Sequence, residues 1–74
     1  DAPDIYMPQF GGYGAMAVAR GHLAEGRPQI WLLQDNQLLL FYSQANRVAW
    51  QQNPQELAEA ARLQWPLLSR QLVP

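Results

Sequence analysis

The sequence predicts an α+β fold, a small domain in which one antiparallel β-hairpin packs against two or three short helices. Two apolar runs, residues 29–33 and 37–42, flank a Gln-Asp-Asn turn, and this is the pattern of a hairpin. Stretches rich in alanine precede and follow that pair of runs. With 74 residues, the chain has room for a single domain with a modest core.

The first part of the chain is predicted to be an extended arm followed by a short helix. Pro3 and Pro8 disfavour helix in and before their own positions, so residues 1–9 are predicted to be extended. Small and apolar side chains then follow over residues 12–20, which indicates a short helix, and Gly21 is placed to end it as a left-handed cap. Residues 22–28 are predicted to form a loop.

Two more helices are predicted after the hairpin. Ser43 is the expected N-cap of the first, over residues 44–52. Asn53 is the expected N-cap of the second, with Pro54 in its first position. Pro66 is predicted to end or kink that last helix. The apolar face of the first of these helices would consist of Ala45, Val48, Ala49 and Trp50.

Composition excludes several classes of function. The net charge is −1, and all five basic residues are arginines, so there is no basic patch of the kind that binds nucleic acid. The longest apolar runs, residues 15–19 and 38–42, are far shorter than the roughly 20 residues of a membrane-spanning helix. The chain has no cysteine, which removes disulfides, thiolate nucleophiles and cysteine-type zinc sites.

No catalytic residue, cofactor or metal site is predicted. The six carboxylates show no pairing in an apolar setting that would tune them for acid and base catalysis. His22 is the only histidine; a metal site through it, with Met7 or Met16 as a soft neighbour, stays an open alternative, although one imidazole is not a site. Its ordinary role, just after a helix, is to interact with the last carbonyl groups.

The glycines from Gly12 to Ala17 match the G-x-G-x-x-A form of a dinucleotide fingerprint, and Asp35 follows about twenty residues later, the spacing of that fingerprint. The fingerprint requires a strand before the glycines and a parallel βαβ unit. Pro8 and the predicted hairpin contradict both requirements. The glycines are therefore interpreted as permitting a tight turn and close packing, with a weak anion site at the start of the helix as a further expectation.

The order of aromatic residues, glycines and prolines resembles the carboxyl-terminal half of the YHS-domain family. The positions in register are Tyr6, Pro8, Gly11, Gly12, Tyr13, Ala15, Ala17, Gly21, Pro28, Trp31, Leu38, Leu40, Tyr42, Trp50, Trp65 and Pro66. Two departures stand out. Gly14 replaces the usual cysteine of the family, and the upstream strand pair that gives the family its name is not among these residues.

The resemblance implies a non-catalytic accessory or small-ligand-binding module, of a kind found in small exported bacterial proteins of the periplasm or the exterior. We expect a shallow site near Gly12, Tyr13, Gly14 and Tyr42 that binds a small molecule or an anion. The alternative is a structural interaction domain that acts through homodimerisation or a partner chain. Residues 1–74 would then be either one small YHS-like domain or a piece that an upstream segment or a second copy completes.

Overall fold

In the part of the chain that the structure describes, a two-stranded antiparallel sheet and three α-helices make up the fold, which confirms the predicted α+β class. The computed structural model describes residues 7–72, so most of the predicted extended arm lies outside the described residues. The elements are α1 (Ala15–Ala19), β1 (Arg27–Gln34), β2 (Gln37–Phe41), α2 (Gln44–Gln52) and α3 (Pro54–Ser69), with short 3-10 helices at Phe10–Gly12 and Arg70–Leu72.

The predicted hairpin is confirmed. Asp35 and Asn36 form its two-residue turn with φ angles of 52° and 63°, which is the left-handed backbone of a type I′ turn and matches the twist of paired strands. Leu33 pairs with Leu38 across the strands. β1 begins at Arg27, two residues before the predicted start, and a bulge separates this first part from the regular pairing.

The segment before α1 lies along the other edge of β2. Pro8 forms a parallel bridge with Leu38, and Gly14 forms another with Leu40. The N–H of Gln9 donates a hydrogen bond of 2.9 Å to the Leu38 carbonyl. This segment therefore closes one edge of the hairpin, and β1 forms the opposite edge.

Helix α1 is shorter than the predicted 12–20, because the glycines before it hold a different conformation. Gly11 and Gly12 have φ angles of 60° and 85°, which are not helical, and the helix proper starts at Ala15. The predicted left-handed cap is confirmed at Gly21, where φ is 90°. There the Gly21 and His22 N–H groups donate back to carbonyls of the last turn, in the pattern of a Schellman motif.

The core lies where the three helices α1, α2 and α3 meet the inner face of the hairpin. Trp50 is fully buried, and its ring meets Phe41 edge to face, with 5.6 Å between the ring centroids. The predicted apolar face of α2 is only partly right, since Ala45 and Val48 are exposed. The buried residues of the core are Ala15, Met16, Val18, Leu39, Phe41, Trp50, Ala61 and Leu68.

Both predicted N-cap positions, Ser43 and Asn53, are confirmed, but only Ser43 caps its helix through a side-chain hydrogen bond. The Ser43 hydroxyl accepts a hydrogen bond of 3.1 Å from the Asn46 N–H, as expected of an N-cap. Asn53 precedes α3, but its side chain makes no capping hydrogen bond. Its carbonyl accepts from the Leu57 N–H instead.

Pro66 does not end the last helix around Gln64, which is one of the two predicted outcomes, since α3 continues to Ser69. Pro66 lies on the exposed side of α3 and gives up one intrahelical hydrogen bond. Ala61 and Leu68, on either side of it, are buried in the core. This apolar burial offsets the cost of the proline and holds the helix together.

Candidate functional site

Both strands of the hairpin are apolar at consecutive positions rather than at alternate ones. Because side chains alternate between the faces of a strand, each strand carries apolar groups on both faces. Leu32 and Leu39 pair on the face that packs against the helices, whereas Trp31 and Leu40 pair on the opposite face. No helix among residues 7–72 lies over that opposite face, which we call the outer face.

The outer face forms an open apolar groove with a volume of about 370 Å³. Trp31 and Leu33 in β1 are 48% and 46% exposed, which is a large exposure for two apolar side chains on one strand. Among residues 7–72, none of those that line the groove is charged or titratable. These residues are Pro8, Pro28, Trp31, Leu33, Leu38 and Leu40.

The free edge of β1 is partly covered by α2. The Arg47 side chain donates a hydrogen bond of 3.0 Å from Nη1 to the Trp31 carbonyl. An additional strand that paired with β1 at this point would have to displace the guanidinium group. The outer face is therefore more accessible than the edge.

A second, polar cavity of about 380 Å³ lies near the start of α1. The chain crosses itself here, because the Gly26 N–H donates to the Gly12 carbonyl at 3.2 Å and Tyr13 forms an antiparallel bridge with Glu25. Gly11 completes the wall. Glu25 is the one charged side chain that lines this cavity.

The four residues of the predicted ligand site do not all line the polar cavity. Gly12 and Tyr13 line the polar cavity. Gly14 is buried behind it, and a Cβ at this position would lie 3.3 Å from the Tyr42 backbone nitrogen. Tyr42 is 47% exposed and lies outside the lining of the cavity. The guanidinium carbon of Arg27 lies 5.1 Å from the centroid of its ring.

Residues 7–72 do not form the parallel βαβ unit that the dinucleotide fingerprint requires. Helix α1 has five residues, and β1 pairs antiparallel to β2. The expected anion site at the start of α1 also meets an obstacle, since the Glu25 carboxylate at the cavity repels anions.

The remaining predictions from the sequence concern a metal site through His22 and a membrane-spanning helix. His22 is exposed after the cap of α1. Within the part of the chain that the structure describes, no three or more histidine, aspartate or glutamate side chains come together as a metal site would need. In the same part of the chain, no helix has the length and apolar character to cross a bilayer.

Sequence reasoning missed the outer face of the hairpin and the contribution of Glu25 and Gly26 to the polar cavity. A signal for the first was present, because residues 30–33 and 38–41 are continuously apolar, which is typical of strands covered on both faces. No comparable signal marks Glu25 or Gly26, since both belong to the loop that the turn residues predict.

Comparisons of the chain with family models, with curated proteins and with solved structures find no match. The resemblance to the YHS-domain family stays a prediction that rests on the residues quoted for it.

Proposed function

We propose that this protein is a non-catalytic accessory module of YHS type that acts as an interaction domain, with the apolar groove on the outer face as its docking surface for protein. One observation carries the proposal. The hairpin is apolar on both faces, and the three helices cover only the inner one. An apolar groove of this kind gains free energy when another apolar surface excludes water from it.

The side chains of the groove are of the types that dominate protein interfaces. Tryptophan is enriched among the residues whose truncation weakens a complex most, and Trp31 lies beside Leu40 near the middle of the face. Full burial of a large apolar side chain contributes about 1.5 to 3 kcal/mol. Trp31 and Leu33, each about half exposed, would each contribute about half of that.

The chemistry of the groove supports binding rather than catalysis. General acid and base catalysis needs a titratable side chain positioned at the substrate, and the six lining residues include none. At the predicted ligand site, Tyr13 lines the polar cavity together with Glu25, and Tyr42 does not share that cavity.

Binding of the apolar dye 8-anilinonaphthalene-1-sulfonate tests whether the groove accepts apolar groups. We expect Leu33→Ser to reduce dye fluorescence several-fold, because the hydroxyl replaces apolar surface in the groove. Leu67→Ser is the matched control, since Leu67 is 55% exposed on α3 and lies outside the groove. Equal fluorescence from the wild type and the Leu33 variant would overturn the proposal.

A small-ligand site at Gly12 and Tyr13 is a second candidate, and the polar cavity is the observation that favours it. Its walls are the backbone of the glycines, the Tyr13 side chain and the Glu25 carboxylate. These groups suit a cationic or hydrogen-bonding molecule better than an anion. A ligand there would shift the amide resonances of Gly12 and Tyr13 and leave those of Trp31 and Leu33 in place.

A further inference from the structure

We infer that the occupant of the groove is a second copy of this chain, packed face to face about a two-fold axis. The inference rests on the proposed function, because it assigns a partner to the same surface. A two-fold interface requires a surface that is complementary to itself. The centre of the apolar groove meets this requirement, because one uncharged apolar surface can pack against another of the same kind. The charges at the two ends of the groove then determine how the second copy is oriented on the first.

Opposite charges stand at the two ends of β1. Arg27 begins the strand, next to Pro28 of the groove, and Asp35 follows the strand two residues after Leu33. Both charged side chains are exposed. A two-fold axis that lies in the interface, perpendicular to β1 and near Trp31, reverses the strand direction. With that axis Arg27 of one copy, whose guanidinium group lies over the Tyr42 ring, comes to the end where Asp35 of the other copy lies, and this contact occurs twice.

The position of Arg47 favours face-to-face packing over strand addition. Its guanidinium group holds the Trp31 carbonyl at the free edge of β1, so a continuous sheet across two copies would lose that hydrogen bond. Packing through the outer face leaves it intact. Sheets that pack face to face keep their strands within about 30° of alignment, which preserves the meeting of the charged ends.

The groove is small for an interface, so the dimer is expected to be weak. A stable complex uses about 20 to 30 residues on each side, whereas six residues line the groove. The paired charges at the rim are exposed and contribute mainly to orientation and specificity. Dimerisation should therefore depend visibly on protein concentration.

The experiment is sedimentation velocity on charge-reversed variants, at protein concentrations from about 1 µM to about 1 mM, the range of weak complexes. We expect Arg27→Asp and Asp35→Arg each to weaken dimerisation at least several-fold, because like charges then face each other twice. An equimolar mixture of the two variants should form a heterodimer, since every facing pair is again opposite in charge. The double variant, Arg27→Asp with Asp35→Arg, should regain the homodimer.

Two controls keep the result interpretable. Asp35 has a positive φ of 52°, which arginine adopts less readily than aspartate or asparagine, so Asp35→Asn serves as a second variant that removes the charge and keeps the turn. Glu59→Arg on α3 is the control for a charge reversal outside the groove, and it should leave dimerisation unchanged.

The outcomes separate this inference from the proposed function. A monomer at every concentration, with dye binding that still depends on Leu33, would overturn the second copy as occupant and leave the groove as a docking surface for another protein. A dimer that is insensitive to Arg27 and Asp35 and to the mixing of the variants would also overturn the inferred arrangement. Loss of the Leu33 dependence would remove the proposed function itself.

Discussion

Gly26 occupies a position at which no side chain fits. A Cβ built on it would overlap the Gly12 carbonyl oxygen and would lie 2.7 Å from the Leu40 Cβ. Backbone and strand atoms cannot move aside as the end of a flexible side chain can. The crossing of the chain at the polar cavity therefore depends on the absence of a side chain at this one residue.

We expect Gly26→Ala to lower the free energy of unfolding by about 1 to 3 kcal/mol, the usual cost of forcing extra volume into a packed site. Gly12→Ala is the comparison, because a Cβ there meets nothing within 4 Å and the cost comes only from its φ of 85°. That strain is worth about 1 kcal/mol. Urea unfolding followed by circular dichroism measures both, and a Gly26 variant no less stable than the Gly12 variant would contradict the packing described here.

These two glycines show which residue requirements are visible in a sequence. Gly12 stands in a Gly-Gly pair before a run of small residues, so a special backbone conformation could be predicted for it. Gly26 stands in an ordinary loop pattern, and its requirement arises from two segments distant in the chain, at Gly12 and Leu40. Sequence patterns report local backbone needs, and they do not report such tertiary contacts.

The helices α2 and α3 begin in physically different ways. Ser43 caps α2 through its hydroxyl, whereas the Asn53 side chain makes no capping hydrogen bond and Pro54 starts α3 with a preset φ. The two helices thus provide a comparison of a side-chain cap with a backbone start in one molecule.

We expect Ser43→Ala to destabilise the protein by about 1 kcal/mol, because the Asn46 N–H loses its acceptor. Asn53→Ala should cost clearly less, since no side-chain hydrogen bond is lost. Thermal unfolding of the two variants side by side is the measurement. Equal losses at the two positions would argue against the difference between the caps.

The turns and caps, which depend on local residue preferences, were predicted correctly. The end of a helix was predicted wrongly where it depends on packing in the core. The hairpin turn, the Ser43 cap and the Gly21 cap depend on the conformational preferences of one or two residues, and all three are confirmed. The end of α3 depends instead on burial, because Leu68 anchors the turn beyond Pro66 in the core. The propensity of proline alone could not predict that outcome.

A chain of side-chain hydrogen bonds through Gln34 joins the hairpin to the helices α2 and α3. The buried Trp50 indole donates to the Gln34 side-chain oxygen at 2.8 Å, and the Gln34 amide nitrogen donates to the Pro54 carbonyl at 3.2 Å. Gln34 ends β1, Trp50 belongs to α2, and Pro54 starts α3. A single glutamine thus fixes the position of three elements.

We expect Gln34→Met to lower the free energy of unfolding by about 1 to 3 kcal/mol, because the buried indole N–H is left without an acceptor. The double variant with Trp50→Phe should lose less than the sum of the two single variants, since the unpaired donor is then gone. Gln37→Met is the control, because Gln37 is exposed and lies opposite Gln34 in the hairpin. Additive losses in chemical unfolding would contradict the coupling.

The candidate surface was harder to predict than the fold. The apolar runs of the strands predicted a hairpin, but which face the helices would cover depends on how α1 and α2 pack against it. Trp31 lies on the face that they leave uncovered, in the exposed groove. The predicted ligand site stays a prediction, with Gly12 and Tyr13 on the polar cavity and Tyr42 apart from its lining.

The pairing of the segment from Pro8 to Gly14 with β2 has a consequence for the order of folding. Its bridges to Leu38 and Leu40 join parts of the chain that are far apart in sequence, and such contacts have a high entropic cost until the partner strand exists. The hairpin, closed by a two-residue turn, can form first and act as the template. Stabilising changes in that turn should therefore accelerate folding, whereas stabilising changes between Pro8 and Gly14 should mainly slow unfolding.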